Sequence, residues 1–239
     1  ITQTDGAFAF SNMQLGGSYK VMPKKNINPM NGVSTLDLLL IQKHILGVQP
    51  ITSPYRLIAA DINKSNDISS IDLVELRKLI LGVYENFPGN DSWRFVPSDF
   101  TFKTSNPFDA SFPESSTIDR FTKDASVNFV GIKVGDVNGS VTPNQLMGAE
   151  VRSPGKEMVF STREQSFKAN QFIEVPFYAS SKEQILGYQL TISFDPHTME
   201  LVNITPNIAD LSLVNFGTQK LSQGIVTTSY NSIRPLTTD

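Results

Sequence analysis

Cysteine is absent from the 239 residues of the chain. This absence excludes disulfides, thiolate nucleophiles, cysteine-ligated zinc and iron–sulfur clusters. Only two histidines are present, His44 and His197, so a metal site with several histidine ligands is also excluded. The compartment stays open, because a secreted protein can lack cysteine when other staples hold its small modules.

The chain also has no large net charge and no long apolar segment. Lysine and arginine number 20 against 23 acidic residues, a net charge of −3, so no broad basic field favours nucleic acid as a partner. No apolar run approaches the roughly 18–20 residues that cross a bilayer. Hydrophobic residues make up 39% of the chain, which is enough for real cores in one or two domains. We expect the chain to be a processed or partial piece of a longer protein.

An internal repeat is the clearest pattern that is present. Residues 34–48 recur 35 positions later as residues 69–83, and S, D, L, K, I, L, G and V are shared between the copies. Such self-similarity has to be considered before any single motif. Each copy predicts a polar loop followed by a helix.

The helix boundaries can be predicted from capping chemistry. Ser34 and Ser69 are natural N-caps, and Asp37 and Asp72 follow three residues later, as in a capping box. Gly47 and Gly82 fall where a left-handed residue ends a helix. The predicted buried residues are Leu38, Ile41 and Ile45 in the first helix, and Leu73, Leu76, Leu79 and Ile80 in the second.

The second copy predicts a calcium loop. If Asp72 is position 12 of a twelve-residue loop, oxygen-bearing residues fall at the positions that ligate the ion in an EF-type loop. These residues are Asp61, Asn63, Ser65, Asp67 through its carbonyl, Ser69 and Asp72. Asn66 at position 6 tolerates positive φ. The alternative is an Asx-rich turn that only caps the helix, and we favour calcium.

The first copy predicts a second, weaker calcium site. Its position-12 acid is Asp37, and Asn26, Asn28 and Ser34 occupy positions 1, 3 and 9. Met30 at position 5 has no side-chain oxygen, and fewer charged ligands mean lower affinity. The alternative is a vestigial loop held by turn chemistry at residues 31–32.

A third fragment, residues 136–140, has the same 1-3-5 spacing in Asp136, Asn138 and Ser140. It lacks a position-12 acid and a following helix. We favour a turn here. The alternative is that Asp136 and Asn138 supply ligands to a calcium ion bound jointly with another loop.

Strand patterns surround the repeat. They predict strands at residues 7–10, 18–21, 93–96 and 128–134, and then at 157–162, 172–178, 187–194, 199–204 and 224–230. The predicted order is strands in 1–24, the repeat pair in 25–85, an aromatic-rich connection with return strands in 86–142, a linker in 143–155 and a β-sandwich in 156–239. The fold class is therefore α+β and mainly β, with the repeat pair inserted in a small sandwich whose sheet begins in residues 7–22 and is completed by the strands of 86–142.

Residues 26–83 resemble a type I dockerin, with its duplicated calcium-loop–helix segment. The flanking patterns, such as Thr4-Asp5-Gly6 and Leu15-Gly16-Gly17, resemble a Cna-B or carboxypeptidase-regulatory sandwich. The whole run is similar to dockerin-bearing segments of large Bacteroidetes proteins that use type IX secretion. Residues 156–239 resemble the first part of a cohesin domain, for example at Leu186-Gly187-Tyr188. Together these resemblances imply a secreted, cell-surface location and intramolecular or head-to-tail assembly.

The favoured function is a non-enzymatic, calcium-stabilised module of an extracellular structural or adhesive protein, which assembles with other domains or copies of related surface proteins. Calcium can staple a helix pair whose core is too small to stand alone. The alternative is an accessory region of a secreted polysaccharide-degrading enzyme or a cellulosome-like complex. Polysaccharide could contact the aromatic residues of 87–129, although such residues more often pin a loop.

Catalysis within the chain is not expected. The pairs Asp119/Asp124 and Glu114/Asp119 lie in a polar stretch where carboxylates are usually only solvated. No Gly-x-Ser-x-Gly elbow accompanies His44 or His197, so a serine hydrolase is rejected.

Overall fold

A computed structural model describes residues 2–3, 6–143, 158–180, 184–208 and 210–236. Three helices and nine strands occur in these ranges. They are β1 (Tyr19–Val21), α1 (Thr35–Ile45), α2 (Pro54–Ala60), α3 (Ser70–Ile80), β2 (Trp93–Pro97), β3 (Ser116–Ile118), β4 (Phe129–Lys133), β5 (Val159–Ser161), β6 (Tyr178–Ser180), β7 (Ile185–Ser193), β8 (Phe216–Gly217) and β9 (Ile225–Leu236). None of the helices in these ranges is both long and apolar enough to span a bilayer.

Helices α1 and α3 begin with the predicted capping boxes. The Asp37 carboxylate accepts the Ser34 N–H at 2.9 Å, while the Ser34 side chain caps the first turn of α1. Ser69 and Asp72 form the same box at the start of α3. Both helices are followed by a glycine in the left-handed region, as predicted: Gly47 at φ +68° and Gly82 at φ +69°. The repeat therefore folds as two equivalent loop–helix units.

The core of the helix pair follows the predicted apolar faces, except that Leu73 is only partly buried and Ile45 is exposed. Leu38 and Ile41 are fully buried, and they share a cluster with Leu76 and Leu79 of α3. Ile45 was predicted to be buried, but it is 37% exposed. It lies in the last turn of α1 and takes no part in that cluster.

Helix α2 precedes the second loop and was not predicted. Pro54 occupies the start of this helix, where its fixed φ and missing N–H are tolerated. The residues of its last turns are buried, and they pack partly against Val96 and Ile132 of β2 and β4. The second loop therefore lies between two helices, as in a full helix–loop–helix unit.

The strands around the helix pair form two separate ladders. β1 pairs antiparallel with β3, and β2 pairs antiparallel with β4. The prediction that one sheet joins residues 7–22 to the later strands is wrong, because residues 7–10 form no ladder and β1 pairs with the unpredicted β3. The predicted strands at 93–96 and 128–134 are confirmed as β2 and β4. Alternation predicted these strands locally, but it carries no information about distant ladder partners.

The C-terminal residues form one ladder, β5–β6, and one sheet in the order β7–β9–β8. The predicted strands at 187–194 and 224–230 are confirmed within β7 and β9. The predicted strands at 172–178 and 199–204 are irregular, apart from Tyr178 at the start of β6. Large apolar side chains in these segments face solvent, including Phe172 and Val202, so they have no core to pack against. The predicted linker lies outside the described residues from position 144 onward.

The two faces of β9 have different surroundings. On one face Tyr230 stacks on Tyr188 of β7 at 5.6 Å between ring centroids. Phe160 of β5 contacts the Tyr188 ring edge-on at 5.2 Å. Because successive strand residues point to opposite faces, the other face carries Thr227, Ser229 and Asn231, which point toward the helix pair.

Candidate calcium loops and docking face

The Asp61–Asp72 loop is folded around its acidic residues. Asp61 is fully buried, and its two carboxylate oxygens accept the Ser65 N–H at 2.8 Å and the Asn66 N–H at 3.1 Å. Asn66 has φ +62°, as predicted for position 6. Asn63 accepts the Ser65 N–H through its side-chain oxygen at 3.0 Å. The first half of the loop therefore turns its oxygens toward one interior.

The second half of the loop closes on Asp72. One oxygen of this buried carboxylate accepts the Ile62 N–H at 2.8 Å, and the other accepts the Ser69 N–H at 2.9 Å. The Asp67 carbonyl accepts the Ser65 hydroxyl at 3.2 Å. The structure thus brings together all six residues that the repeat placed at ligand positions of this copy. Two carboxylates with neutral oxygens are a donor set that fits Ca²⁺, a hard cation.

A buried cation that sequence reasoning missed adjoins this loop. Arg94 of β2 is almost fully buried, and its Nη1 lies 3.5 Å from an Asp61 carboxylate oxygen. Its Nε donates to Glu114 at 2.7 Å, and Lys64 binds the same carboxylate at 3.0 Å. Burial raises the pKa of the Asp61 carboxyl, and Arg94 partly offsets this. A charged residue inside the apolar run of β2 was the available signal.

The structure does not bring Asn26 to Asp37. The Asn26 side-chain oxygen accepts the Ser92 N–H at 3.0 Å, on the way into β2. Asn28 adopts φ +49° and its carbonyl accepts the Asn31 N–H, so it belongs to a local turn. Met30 packs against the core of the helix pair. The first twelve-residue stretch therefore does not fold as a copy of the second.

Residues 136–140 take the place next to Asp37. One Asp37 oxygen accepts the Val137 N–H at 2.8 Å and the Asn138 N–H at 3.1 Å. Burial raises the pKa of the Asp37 carboxyl to about 6, and the nearby Asp136 charge contributes to this rise. The predicted site residues Asp136 and Asn138 are thus brought to Asp37, although the sequence favoured an isolated turn.

A polar face of the helix pair meets the C-terminal sheet. Thr35 of α1 shares a 2.8 Å hydrogen bond with the Ser229 hydroxyl. Asn231 bridges both helices, because its Nδ2 donates to Gln42 at 2.7 Å and its Oδ1 accepts Arg77 Nη2 at 2.7 Å. These five residues and the contacts below define the docking face.

Close backbone approach completes the docking face. The Thr227 hydroxyl donates to the Leu81 carbonyl at 2.7 Å. A Cβ atom built on Gly217 of β8 would collide with that same carbonyl, so the strand approaches the helix end at a distance that only glycine allows. Burial lowers the pKa of the Arg77 guanidinium, and its Nε has no hydrogen-bond partner.

The remaining candidates for chemistry are not assembled into a site. Asp119 and Asp124 are exposed, and Glu114 is committed to its two cationic partners. The His44 Nδ1 accepts the Ile51 N–H at 3.0 Å. Within the described ranges, the His, Cys, Asp and Glu side chains form no cluster of three or more that could hold a metal ion.

The aromatic residues of the connection pack inward. Phe102 makes edge-on ring contacts with Tyr55, Phe100 and Phe112 at 5.1–5.8 Å. The group covers the small cluster that contains Ile58. This arrangement pins the connection to α2 and to Val96 and Ile132 of the β2–β4 ladder, and the sequence favoured residues that pin a loop to a sheet.

Comparisons with known proteins agree with the repeat. No curated protein and no solved structure matches the chain. Dockerin domains are non-catalytic modules, typically extracellular, that bind calcium and cohesin domains. The family model of the dockerin type I domain matches residues 27–81, which hold α1, α2, α3 and the Asp61–Asp72 loop.

Proposed function

We propose that this chain is a non-catalytic, calcium-stabilised docking module. Its helix pair docks on the β7–β9–β8 sheet of the same chain. In this proposal that sheet is the surface that the helix pair binds, as a cohesin domain is for a dockerin. The module belongs to an extracellular structural or adhesive protein in this proposal. The observation that carries it is the Asn231 side chain, which hydrogen-bonds Gln42 of α1 and Arg77 of α3 at once.

The polarity of the contact supports docking rather than a shared core. The docking face is held by side-chain hydrogen bonds between residues about 150–190 positions apart. Interfaces between domains in one chain are typically more polar than a domain core. The helix pair has its own buried cluster on the side of Leu38 and Leu76, and this cluster includes no residue of the sheet.

Calcium couples to this docking through the helix starts. Asp37 and Asp72 belong to the candidate calcium loops and also cap α1 and α3. Thr35, the first residue of α1, contacts Ser229. An ion that orders the loops therefore also fixes the orientation of the helices that present the docking face. Millimolar extracellular calcium can fill even weak loops.

The test is a distance measurement on the full chain. Because native cysteine is absent, Glu85→Cys and Gln219→Cys can carry a pair of spin labels at exposed positions on the two sides of the contact. We expect one narrow distance distribution with calcium and a broad one after EGTA. A matched pair within the helix unit, Glu85→Cys with Val48→Cys, reports whether EGTA only unfolds that unit.

Dilution with unlabelled protein separates docking within one chain from docking between chains. A narrow distribution that survives a tenfold excess of unlabelled chain supports the proposal. Loss of the short distance on dilution assigns the contact to two copies and overturns the intramolecular part. A broad distribution in saturating calcium overturns docking altogether.

A further inference from the structure

We propose that residues 136–140 and residues 32–37 form one split calcium loop, a second site that is completed from outside the family match. This inference rests on the calcium-binding part of the proposed function. In it, Asp136 is position 1 and Asp37 is position 12. The ligand set is Asp136, Asn138, Ser140, the Gly32 carbonyl and Asp37, with Ser34 at position 9.

The first half repeats the hydrogen bonds that the position-5 amide makes in the contiguous loop. In the contiguous loop, Ser65 N–H donates to Asp61 at 2.8 Å and to Asn63 at 3.0 Å. In the split loop, Ser140 N–H donates to Asp136 at 2.9 Å and to Asn138 at 2.8 Å.

The residue at position 4 has positive φ in both loops, +61° at Lys64 and +77° at Gly139. In each loop the backbone amide of position 6 donates to the second oxygen of the position-1 carboxylate. This amide is Asn66 N–H at 3.1 Å in the contiguous loop and Val141 N–H at 2.8 Å in the split loop.

The second half of the split loop also makes the same hydrogen bonds as the second half of the contiguous loop. Asp37 accepts the Val137 N–H at 2.8 Å, as Asp72 accepts the Ile62 N–H at 2.8 Å. The Ser140 hydroxyl donates to the Gly32 carbonyl at 3.0 Å. The corresponding bond of the contiguous loop, from the Ser65 hydroxyl to the position-7 carbonyl, is 3.2 Å long. Gly32 therefore stands at position 7, and the chain is cut between positions 6 and 7.

The charge balance of the split loop points to a bound cation. Asp37 is fully buried and Asp136 is 5% exposed. Among the described residues, no salt bridge reaches either carboxylate. Lys133 is the buried cation nearby. Its charge acts on both carboxylates through space, but its ammonium group donates its hydrogen bonds to the carbonyls of Pro29 and Val134. One lysine charge balances only one of two buried carboxylates, and a divalent ion bound to both supplies the remaining positive charge.

Direct contacts join the two half-loops at the point where the chain is interrupted. A Cβ atom built on Gly32 would lie 2.7 Å from the Val141 Cα, so the two segments touch where the loop is interrupted. Asn31 Nδ2 donates to the Thr142 carbonyl at 2.9 Å. These contacts bring the two half-loops together as the peptide bond does in the contiguous loop.

The experiment is calcium titration of the full chain by calorimetry. We expect two ions for the wild type, one for Asp136→Asn and one for Asp61→Asn, since each substitution removes a ligand charge and keeps the shape. A second pair separates the split loop from the contiguous first copy. Asn138→Gly should weaken one of the two ions, whereas Asn28→Gly should leave both unchanged.

The calcium titration can contradict the split loop independently of the proposed docking. Two ions of unchanged affinity in Asp136→Asn, or an ion weakened by Asn28→Gly and not by Asn138→Gly, overturns the split loop. One ion in the wild type that disappears in Asp61→Asn also overturns it, and the contiguous loop is then retained. Docking is read from the spin-label distance in the same samples, so it can fail or hold independently. If Asp136→Asn does not fold by circular dichroism, the Asn138→Gly and Asn28→Gly pair decides.

Discussion

Asn231→Ala is the substitution that should loosen the docking face most selectively. The change removes one hydrogen bond to a charged donor, Arg77, and one to the neutral Gln42, both 2.7 Å long. Bonds of these two kinds contribute about 1.5–3 and about 0.5–1.5 kcal/mol. Because both partners are only half-buried, we take the lower part of the sum, about 2–3 kcal/mol. At about 1.4 kcal/mol per factor of ten, the undocked population should rise about 30- to 150-fold.

Thiol labelling can measure this population. Ser229 is fully buried under the helix pair, and Ser229→Cys would place the sole cysteine of the chain at that position. Its labelling rate is proportional to the undocked fraction when docking is fast compared with labelling. We expect Asn231→Ala to accelerate labelling by the factor above, while Asn207→Ala at an exposed position leaves it unchanged. An acceleration below about threefold would refute the assigned contribution of the bridge, since it corresponds to about 0.6 kcal/mol.

Three further predictions concern stability. Leu38→Ala should lower the free energy of unfolding by about 2–5 kcal/mol because the side chain is fully buried, whereas Ile45→Ala in the same helix should cost far less; urea titration compares the two. Gly217→Ala should accelerate the labelling of Ser229→Cys, because the added methyl group would collide with the Leu81 carbonyl at the end of α3. The control is Gly47→Ala, where φ is +68° and the space around the residue is open. This control should lower thermal stability without changing the labelling rate. EGTA should lower the melting temperature, because each site filled at a hundred times its dissociation constant contributes about 2.7 kcal/mol; a melting curve unaffected by EGTA would contradict calcium stapling.

The sequence predicted features whose determinants are local. The capping boxes at Ser34 and Ser69, and the left-handed Asn66, depend on residues within a few positions of one another. The apolar face of α1 was predicted for the same reason up to Ile41. Local chemistry therefore located α1, α3 and the second loop, but not α2.

Features set by distant partners were not predictable in the same way. Asp37 looked like the end of a contiguous loop that starts at Asn26, yet its amide partners come from Val137 and Asn138. Nothing in the spacing of residues 26–37 reveals hydrogen-bond partners about 100 positions away. Strand patterns failed for a related reason at Phe172, where alternation is present but no second surface covers the side chain.

The hydrogen bond from the Val137 N–H to the Asp37 carboxylate affects where this module can be truncated. The family match ends at residue 81, so a fragment trimmed to the match would keep α1 but leave its buried capping carboxylate facing solvent on one side. It would also lose β2 and β4, and with them Arg94 beside Asp61. A fragment that keeps the Asp37–Val137 and Arg94–Asp61 contacts therefore runs at least from about residue 26 to about residue 142. The helix pair is then the middle of a larger unit whose two ends meet at α1.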